Sequence, residues 1–173
     1  LPPGRRERRH RMRLPEKRQE VLCAYLILRR ALREQYRWQE IPPIACEDGG
    51  KPFFPDAPQV QFNLSHTAGA VLAALSDRPV GVDIERIRPL SPLARRRLAE
   101  GISQEAFFAD WVRREAVGKW MGAGVRPHGQ ETVCPPDCRF FPLETFAGYA
   151  AGICVSSGAE TLEIHRHHLT ELL

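Results

Sequence analysis

The chain has 173 residues, 43% of them hydrophobic and 27% charged, the balance of a folded globular protein rather than a disordered one. Its formal net charge of +4 is concentrated at the start, where Arg5, Arg6, Arg8, Arg9, Arg11 and Arg13 are followed by Lys17 and Arg18. Such a cluster attracts polyanions of any chemistry, and nucleic acid, nucleotide phosphates and acidic proteins all stay open; no apolar run approaches the roughly 20 residues that cross a bilayer, so no membrane-crossing helix and no membrane partner are expected.

Residues 1–14 are arginine-rich and lack the apolar stretch of a secretion signal, and a chain opening on Leu1 is expected to have lost its natural start. A long amphipathic helix is predicted over 16–36, with Val21, Leu22, Tyr25, Leu26, Leu28, Ala31 and Leu32 largely on one face. Pro42 and Pro43 prevent its continuation. Residues 47–58 carry Gly49, Gly50, Pro52, Pro55 and Pro58 and read as turns. Strands are predicted over 60–64, 70–75 and 80–85, the last two joined as a hairpin by the bend at 76–79. Residues 89–103 give no readable pattern. A second helix is predicted over 104–121 on the spacing of Phe107, Phe108, Trp111, Val112, Ala116 and Trp120, closed by Gly122 and Gly124. A loop over 126–139 precedes further strands over 140–146, 149–155 and 162–165. The order, a helix and three strands followed by a helix and about three strands, predicts an α+β protein of two similar lobes, 1–88 and 89–173.

Five scattered cysteines (Cys23, Cys46, Cys134, Cys138, Cys154) are an odd number and point to free thiols in a reducing compartment. Cys134 and Cys138 are four apart, yet no second Cys/His pair has zinc-site spacing, so they read as loop cysteines.

Four short motifs carry chemistry. In Gly81-Val82-Asp83-Ile84-Glu85, alternation along a strand places Asp83 and Glu85 on one face. Two such carboxylates repel unless a cation lies between them, and Mg²⁺ binds in this way together with substrate phosphates. A solvated strand end is the alternative reading. In Trp111 to Lys119, Glu115 and Lys119 share a helix face, which in isolation reads best as a surface ion pair. Phe62-Asn63-Leu64-Ser65-His66 offers a hydroxyl and an imidazole to phosphate. Neighbouring strand residues point apart and G-x-S-x-G is absent, which argues against a serine nucleophile. Gly49-Gly50-Lys51-Pro52 lacks the spacing of a P-loop.

Taken in order, G-K-P, F-N-L-S-H, G-V-D-I-E and W-x-x-x-E-A-x-x-K resemble the 4′-phosphopantetheinyl transferase superfamily, in its single-chain surfactin-synthetase-activator (Sfp-like) branch, over about residues 17–121. The resemblance implies transfer of 4′-phosphopantetheine from coenzyme A to a serine of an acyl or peptidyl carrier protein, with release of 3′,5′-ADP. It implies Mg²⁺, with Mn²⁺ as a substitute, held by Asp83, Glu85 and Glu115. Asp83, Glu115 and Lys119 would be the catalytic set, Glu115 taking the serine proton and Lys119 contacting the phosphates. Ser65 and His66 would bind coenzyme A phosphates, Lys51 and Pro52 would lie along the adenine nucleotide, and Lys17 and Arg18 would meet the 3′-phosphate. The implied fold is two α+β lobes, each a long helix on a small antiparallel sheet, related as a pseudo-dimer with coenzyme A between them. The implied protein is a cytoplasmic monomer whose basic surface steers an acidic carrier.

Two features depart from the family pattern. Arg114 stands where a lysine is usual before the helical glutamate, and a planar fork does not replace a point charge. Residues 89–110 form a shorter segment than is typical, in the region that docks the carrier. The rival readings are a catalytically weakened coenzyme A-binding relative, a nucleic-acid-binding protein using the N-terminal arginines, and a Mg²⁺-dependent phosphohydrolase.

Overall fold

A computed structural model describes residues 15–93, 96, 101–122, 134–158 and 161–171. The arginine cluster at 5–13, the expected cap at Gly124 and most of the expected loop at 126–139 lie outside them. Helix α1 (Pro15–Tyr36) opens on a proline, which suits the first helical position because its missing N–H has no acceptor there. Ala24, Tyr25, Leu28 and Leu32 form its buried stripe. The helix stops at Arg37, which takes a left-handed φ of 60°, several residues before the prolines that would have ended it. Helix α2 (Gln104–Met121) starts at Ser103, whose Oγ accepts the Ala106 N–H at 3.1 Å, and ends at left-handed Gly122, a pairing of polar N-cap and glycine stop. No helix among the described residues is long and apolar enough to cross a membrane.

The strands are β1 (Ala45–Cys46), β2 (Pro52–Phe53), β3 (Gln61–Thr67), β4 (Ala70–Ser76), β5 (Val80–Arg86), β6 (Cys138–Leu143) and β7 (Tyr149–Ser156). They form antiparallel sheets β1-β2, β3-β4 and β5-β7-β6, so the chain is α+β. The expected hairpin across 76–79 is corrected. β4 pairs instead with β3, in the register Thr67↔Ala70 to Gln61↔Ser76, through a two-residue turn in which Gly69 has φ 83°, a conformation glycine adopts without a Cβ penalty. β5 pairs with β7, Val80 opposite Val155. Three consecutive buried apolar residues on one face of β5, Val80, Val82 and Ile84, are better covered inside the molecule than at a hairpin edge. The expected strand over 162–165 is also corrected: residues 161–168 form no ladder, and a short 3₁₀ turn follows at Leu169–Glu171.

Three apolar centres result among the described residues, one of them Phe107 and Phe108 of α2 with Ile87, Leu90 and Trp111 against them. α1 packs with the β3–β4 hairpin around Tyr25, Leu28, Leu32, Phe54, Val60 and Phe62, with the Phe54 and Phe62 rings stacked at 4.4 Å. α2 packs on the three-stranded sheet, through Ala116 and Val117 against Cys138 and Cys154. The expectation of five free thiols is corrected at this point. Cys138 and Cys154 form a disulfide, between residues diagonal to one another on β6 and β7, and Cys134 Sγ lies 3.2 Å from Cys138 Sγ. Spacing along the chain could not reveal that grouping, because Cys154 arrives from another strand.

Gly81 fixes how closely α2 approaches β5. A Cβ there would meet the Ala116 carbonyl oxygen and the Trp120 backbone nitrogen, with the Trp120 Cα at 2.9 Å. Main-chain atoms of a helix cannot turn aside as a side chain can. Gly81→Ala is therefore expected to destabilise the fold by about 3 kcal/mol, the upper end for overpacking, read as a lower urea midpoint. An unchanged midpoint would show that the helix can slide outward at little cost.

Candidate active site

The centre of the molecule is organised by three polar residues of β3. Asn63, Ser65 and Thr67 alternate along the strand, face inward, and are buried. Asn63 Oδ1 accepts the Val82 N–H at 2.9 Å, Ser65 Oγ accepts that of Ile84 at 3.3 Å, and Thr67 Oγ1 accepts that of Arg86 at 3.3 Å. One edge of β5 is thus satisfied by a row of side chains instead of a neighbouring backbone, as buried N–H groups require. This row couples the β3–β4 hairpin to the three-stranded sheet and sets the height of Asp83 and Glu85 against β3.

Asp83 is 4% exposed. Its Oδ1 accepts from Ser65 Oγ at 2.7 Å and from Lys119 Nζ at 2.6 Å. Lys119 Nζ also donates to Ser65 Oγ and to the Val82 carbonyl, each at 3.1 Å, which engages all three ammonium protons. The ion pair expected between Glu115 and Lys119 on the helix surface is replaced by one that joins α2 to β5. Asp83 Oδ2 is buried and has no hydrogen-bond partner among the described residues. An unpartnered carboxylate oxygen in a dry site is destabilising unless something cationic or protic reaches it.

Two further carboxylates surround this pair. Glu85 Oε2 accepts from Thr67 Oγ1 at 3.3 Å and from Arg88 Nη1 at 3.2 Å. Glu115 on α2 is half-buried, and its pKa is raised by desolvation first and by the charge of Asp83 next, against the pull of Lys119, with Glu85 adding to the rise. Glu115 therefore feels the charge of both other carboxylates. Their ligand atoms are not among the groups that close within 4.8 Å of each other in the described residues, which are Cys134–Cys138–Cys154 and Glu34–His165–His167. The donor chemistry nonetheless fits a hard divalent cation: three carboxylates, one with an orphaned oxygen, and no soft ligand among them.

The remaining expected residues are distributed around this centre. Ser65 points into it, whereas His66, on the opposite face of β3, is exposed and sits 3.1 Å from Glu20 Oε2 of α1. The pair thus diverges, as strand geometry requires. Lys17 is exposed on α1, and Arg18 lies one residue further along. Lys51 Nζ donates to the Trp120 carbonyl at 3.1 Å, at the carbonyl-rich end of α2 that attracts cations. Burial lowers its pKa, opposed by Glu47. Pro52 pairs with Cys46 in the β1–β2 ladder. Arg114 turns to Asp110, Nε to Oδ2 at 2.6 Å, and Arg113 takes the other oxygen at 2.9 Å. Partial burial of Asp110 favours its neutral form, but the hydrogen bonds and charges of the two arginines outweigh that and hold its pKa below the ordinary range.

Asn63 and Thr67 belong to the site's framework and were missed by sequence reasoning. The available signal was their spacing with Ser65: polar residues at every second position of a strand flanked by apolar residues mark a polar inner face, which a buried strand does not carry without partners.

No family model matches the chain. Curated proteins do resemble it. It is 27% identical over 184 residues to the 4′-phosphopantetheinyl transferase Sfp of Bacillus subtilis (strain 168), covering 90% of this chain and 82% of that protein. It is 26% identical over 180 residues to the 4′-phosphopantetheinyl transferase ffp of Bacillus subtilis, covering 88% and 80%. The 4′-phosphopantetheinyl transferase AcpT of Escherichia coli is 31% identical over 144 residues, covering 72% of this chain and 67% of AcpT.

Proposed function

Because the chain belongs to the 4′-phosphopantetheinyl transferase family and is an enzyme of that class, we propose that it moves 4′-phosphopantetheine from coenzyme A to a serine of an acyl or peptidyl carrier protein, releasing 3′,5′-ADP, at the Asp83–Glu85–Glu115–Lys119 cluster. The observation that carries this placement is the buried, unpartnered Asp83 Oδ2 beside two more carboxylates and an ammonium group. Asp83, Glu85 and Glu115 would hold Mg²⁺, or Mn²⁺ in its place. When bound, that ion supplies charge neutralisation at the pyrophosphate, the dominant requirement of phosphoryl transfer.

The chain's own residues then have distinct tasks. The carrier serine oxygen forms a bond to the phosphorus that bears pantetheine, and the bond from that phosphorus to the 3′,5′-ADP oxygen breaks. Glu115, directly or through a water, accepts the serine proton. Lys119, fixed by Asp83, Ser65 and Val82, keeps positive charge at the head of the site and orients toward the phosphates. Ser65, His66, Lys51, Pro52, Lys17 and Arg18 line the coenzyme A path. His66 and Lys17 stand on the α1 side of β3, where a 3′-phosphate would be met, and Lys51 at the end of α2 would flank the nucleotide. We read the molecule as two lobes, 1–88 and 89–173, in a pseudo-dimer: α1 packs on the β3–β4 hairpin, and α2 packs on a sheet to which the first lobe lends β5. A monomer follows, because one chain supplies both halves of the site, and a cytoplasmic location is proposed with it on the family resemblance alone. No nucleic acid enters this reading.

A second reading has one observation in its favour. Arg114 is drawn onto Asp110 where the family has a lysine, which suits a relative that binds coenzyme A and transfers slowly. Incubation with coenzyme A, Mg²⁺ and several apo carrier proteins, followed by intact mass spectrometry of the carriers, separates the two. We expect a phosphopantetheine-sized gain on at least one carrier that disappears with EDTA. Coenzyme A binding without gain on any carrier selects the slow relative, and absence of both overturns the assignment.

A further inference from the structure

We propose that His165 and His167, together with Glu34 of α1, form a site for a borderline divalent cation such as Zn²⁺, separate from the transfer site and independent of its assignment. A ring nitrogen of each histidine and a carboxylate oxygen of Glu34 lie within 4.8 Å of one another. The two histidines stand two apart in the irregular segment 161–168. Their rings are nearly parallel, at 9° with centroids 6.4 Å apart. Imidazole and carboxylate ligands in this combination suit Zn²⁺ and its neighbours in the first transition row.

The surroundings resemble those of a built ligand set. His167 Nδ1 is 3.3 Å from Glu171 Oε2, so a carboxylate helps to orient the ring, as carboxylates do around metal-binding histidines. Glu163 Oε2 lies 3.7 Å from His165 Nε2. Glu34, Glu163 and Glu171 therefore place three carboxylates around two imidazoles in a protein of net positive charge. Arg30 opposes them: its Nε occupies Glu34 Oε1 at 2.8 Å and leaves that carboxylate a second oxygen. Arg166 is turned away, to the Glu144 carbonyl at 2.9 Å.

The segment is also positioned in advance. Arg30 Nη1 donates to the Glu171 carbonyl at 3.0 Å, and the His168 ring rests 6.4 Å from that of Phe146. Residues 161–171 thus run from the loop between β6 and β7 to the outer face of α1. A cation bound by Glu34 and the two histidines would fasten this strap to α1. The His167 side chain is 12% exposed and that of His165 is 62% exposed, so water completes the coordination from the open side.

The test uses untagged protein stripped with EDTA, titrated with Zn²⁺ by calorimetry at about pH 7.5, where unperturbed imidazole is neutral. Wild type is compared with Glu34→Gln, His167→Gln and the double variant His165→Gln/His167→Gln. We expect wild type to bind one equivalent more than the double variant, and each single variant to weaken that equivalent at least tenfold. Zn²⁺ should raise the thermal midpoint of wild type more than that of the double variant. Carrier modification with Mg²⁺ should be the same in all four, which separates failure here from failure of the transferase reading. Identical titrations for wild type and the double variant would overturn the site, leaving the histidine–glutamate contacts as simple ion pairs.

Discussion

Asp83→Asn is expected to lower carrier modification by at least about 10³-fold in kcat/KM, the scale on which losing one charged ligand from a phosphoryl-transfer site acts. Asparagine matches the volume of aspartate and keeps one oxygen for Lys119 and Ser65, so the fold around β5 has little reason to move. What disappears is the negative charge and the second oxygen, the buried Oδ2 that has no partner among the described residues. Stability should respond in a different sense from activity. Lys119 loses its ionic partner but retains the Val82 carbonyl and Ser65 Oγ, and with its side chain 26% exposed it regains some water. The loss should therefore stay near about 1–2 kcal/mol, below the 3–5 typical when one partner of a fully buried pair is removed. Urea denaturation and the carrier mass assay together separate these effects. Activity within tenfold of wild type would remove Asp83 from the reacting centre and leave it a role in holding Lys119.

The elements legible from sequence were those with a local cause. α1 and α2 follow from apolar spacing, α2 with Gly122 as its stop, and the strand face shared by Asp83 and Glu85 follows from alternation alone; the N-cap at Ser103 was not read from the sequence. Pairing was less legible because it is decided at a distance. The bend at 76–79 looks like a hairpin, yet Val80, Val82 and Ile84 need covering on both sides, and β7 provides a partner from seventy residues away. The stronger hairpin signal, Gly69 between two apolar runs, was present and undervalued. The same limit explains Lys119. Four residues from Glu115 on one helix face, it reads as a surface ion pair, and only the packing of Gly81 against the turn between Ala116 and Trp120 brings its ammonium group to Asp83. The grouping of Cys134 with Cys138 and Cys154, and that of Glu34 with His165 and His167, likewise draw on separate elements.

Glu115→Gln is expected to inactivate the enzyme and stabilise it. Desolvation and the neighbouring charges of Asp83 and Glu85 raise the Glu115 pKa above its ordinary value of 4.5, with Lys119 offsetting only part of the rise. A carboxylic acid that holds its proton more tightly when folded binds more protons in the native state than in the unfolded state over the window between the two pKa values. Stability therefore falls as pH rises through that window, and the deficit persists above it. Glutamine keeps the shape and carries no charge, so it escapes the deficit. Because the group is half-exposed and screened, the gain is held to at most about 1 kcal/mol, or a rise of about 2–4 °C in Tm for a chain of this size. The gain should be present at about pH 8 and vanish below the ordinary carboxylate range, where wild type is protonated as well. Transfer should fall by about 10²–10⁴-fold, the usual contribution of a positioned base. Mg²⁺ should raise the Tm of wild type more than that of the variant, since a ligand stabilises only the form that binds it. A variant that is less stable than wild type at about pH 8 would mean that Glu115 is held by favourable contacts, and one that retains full activity would place the proton acceptor elsewhere.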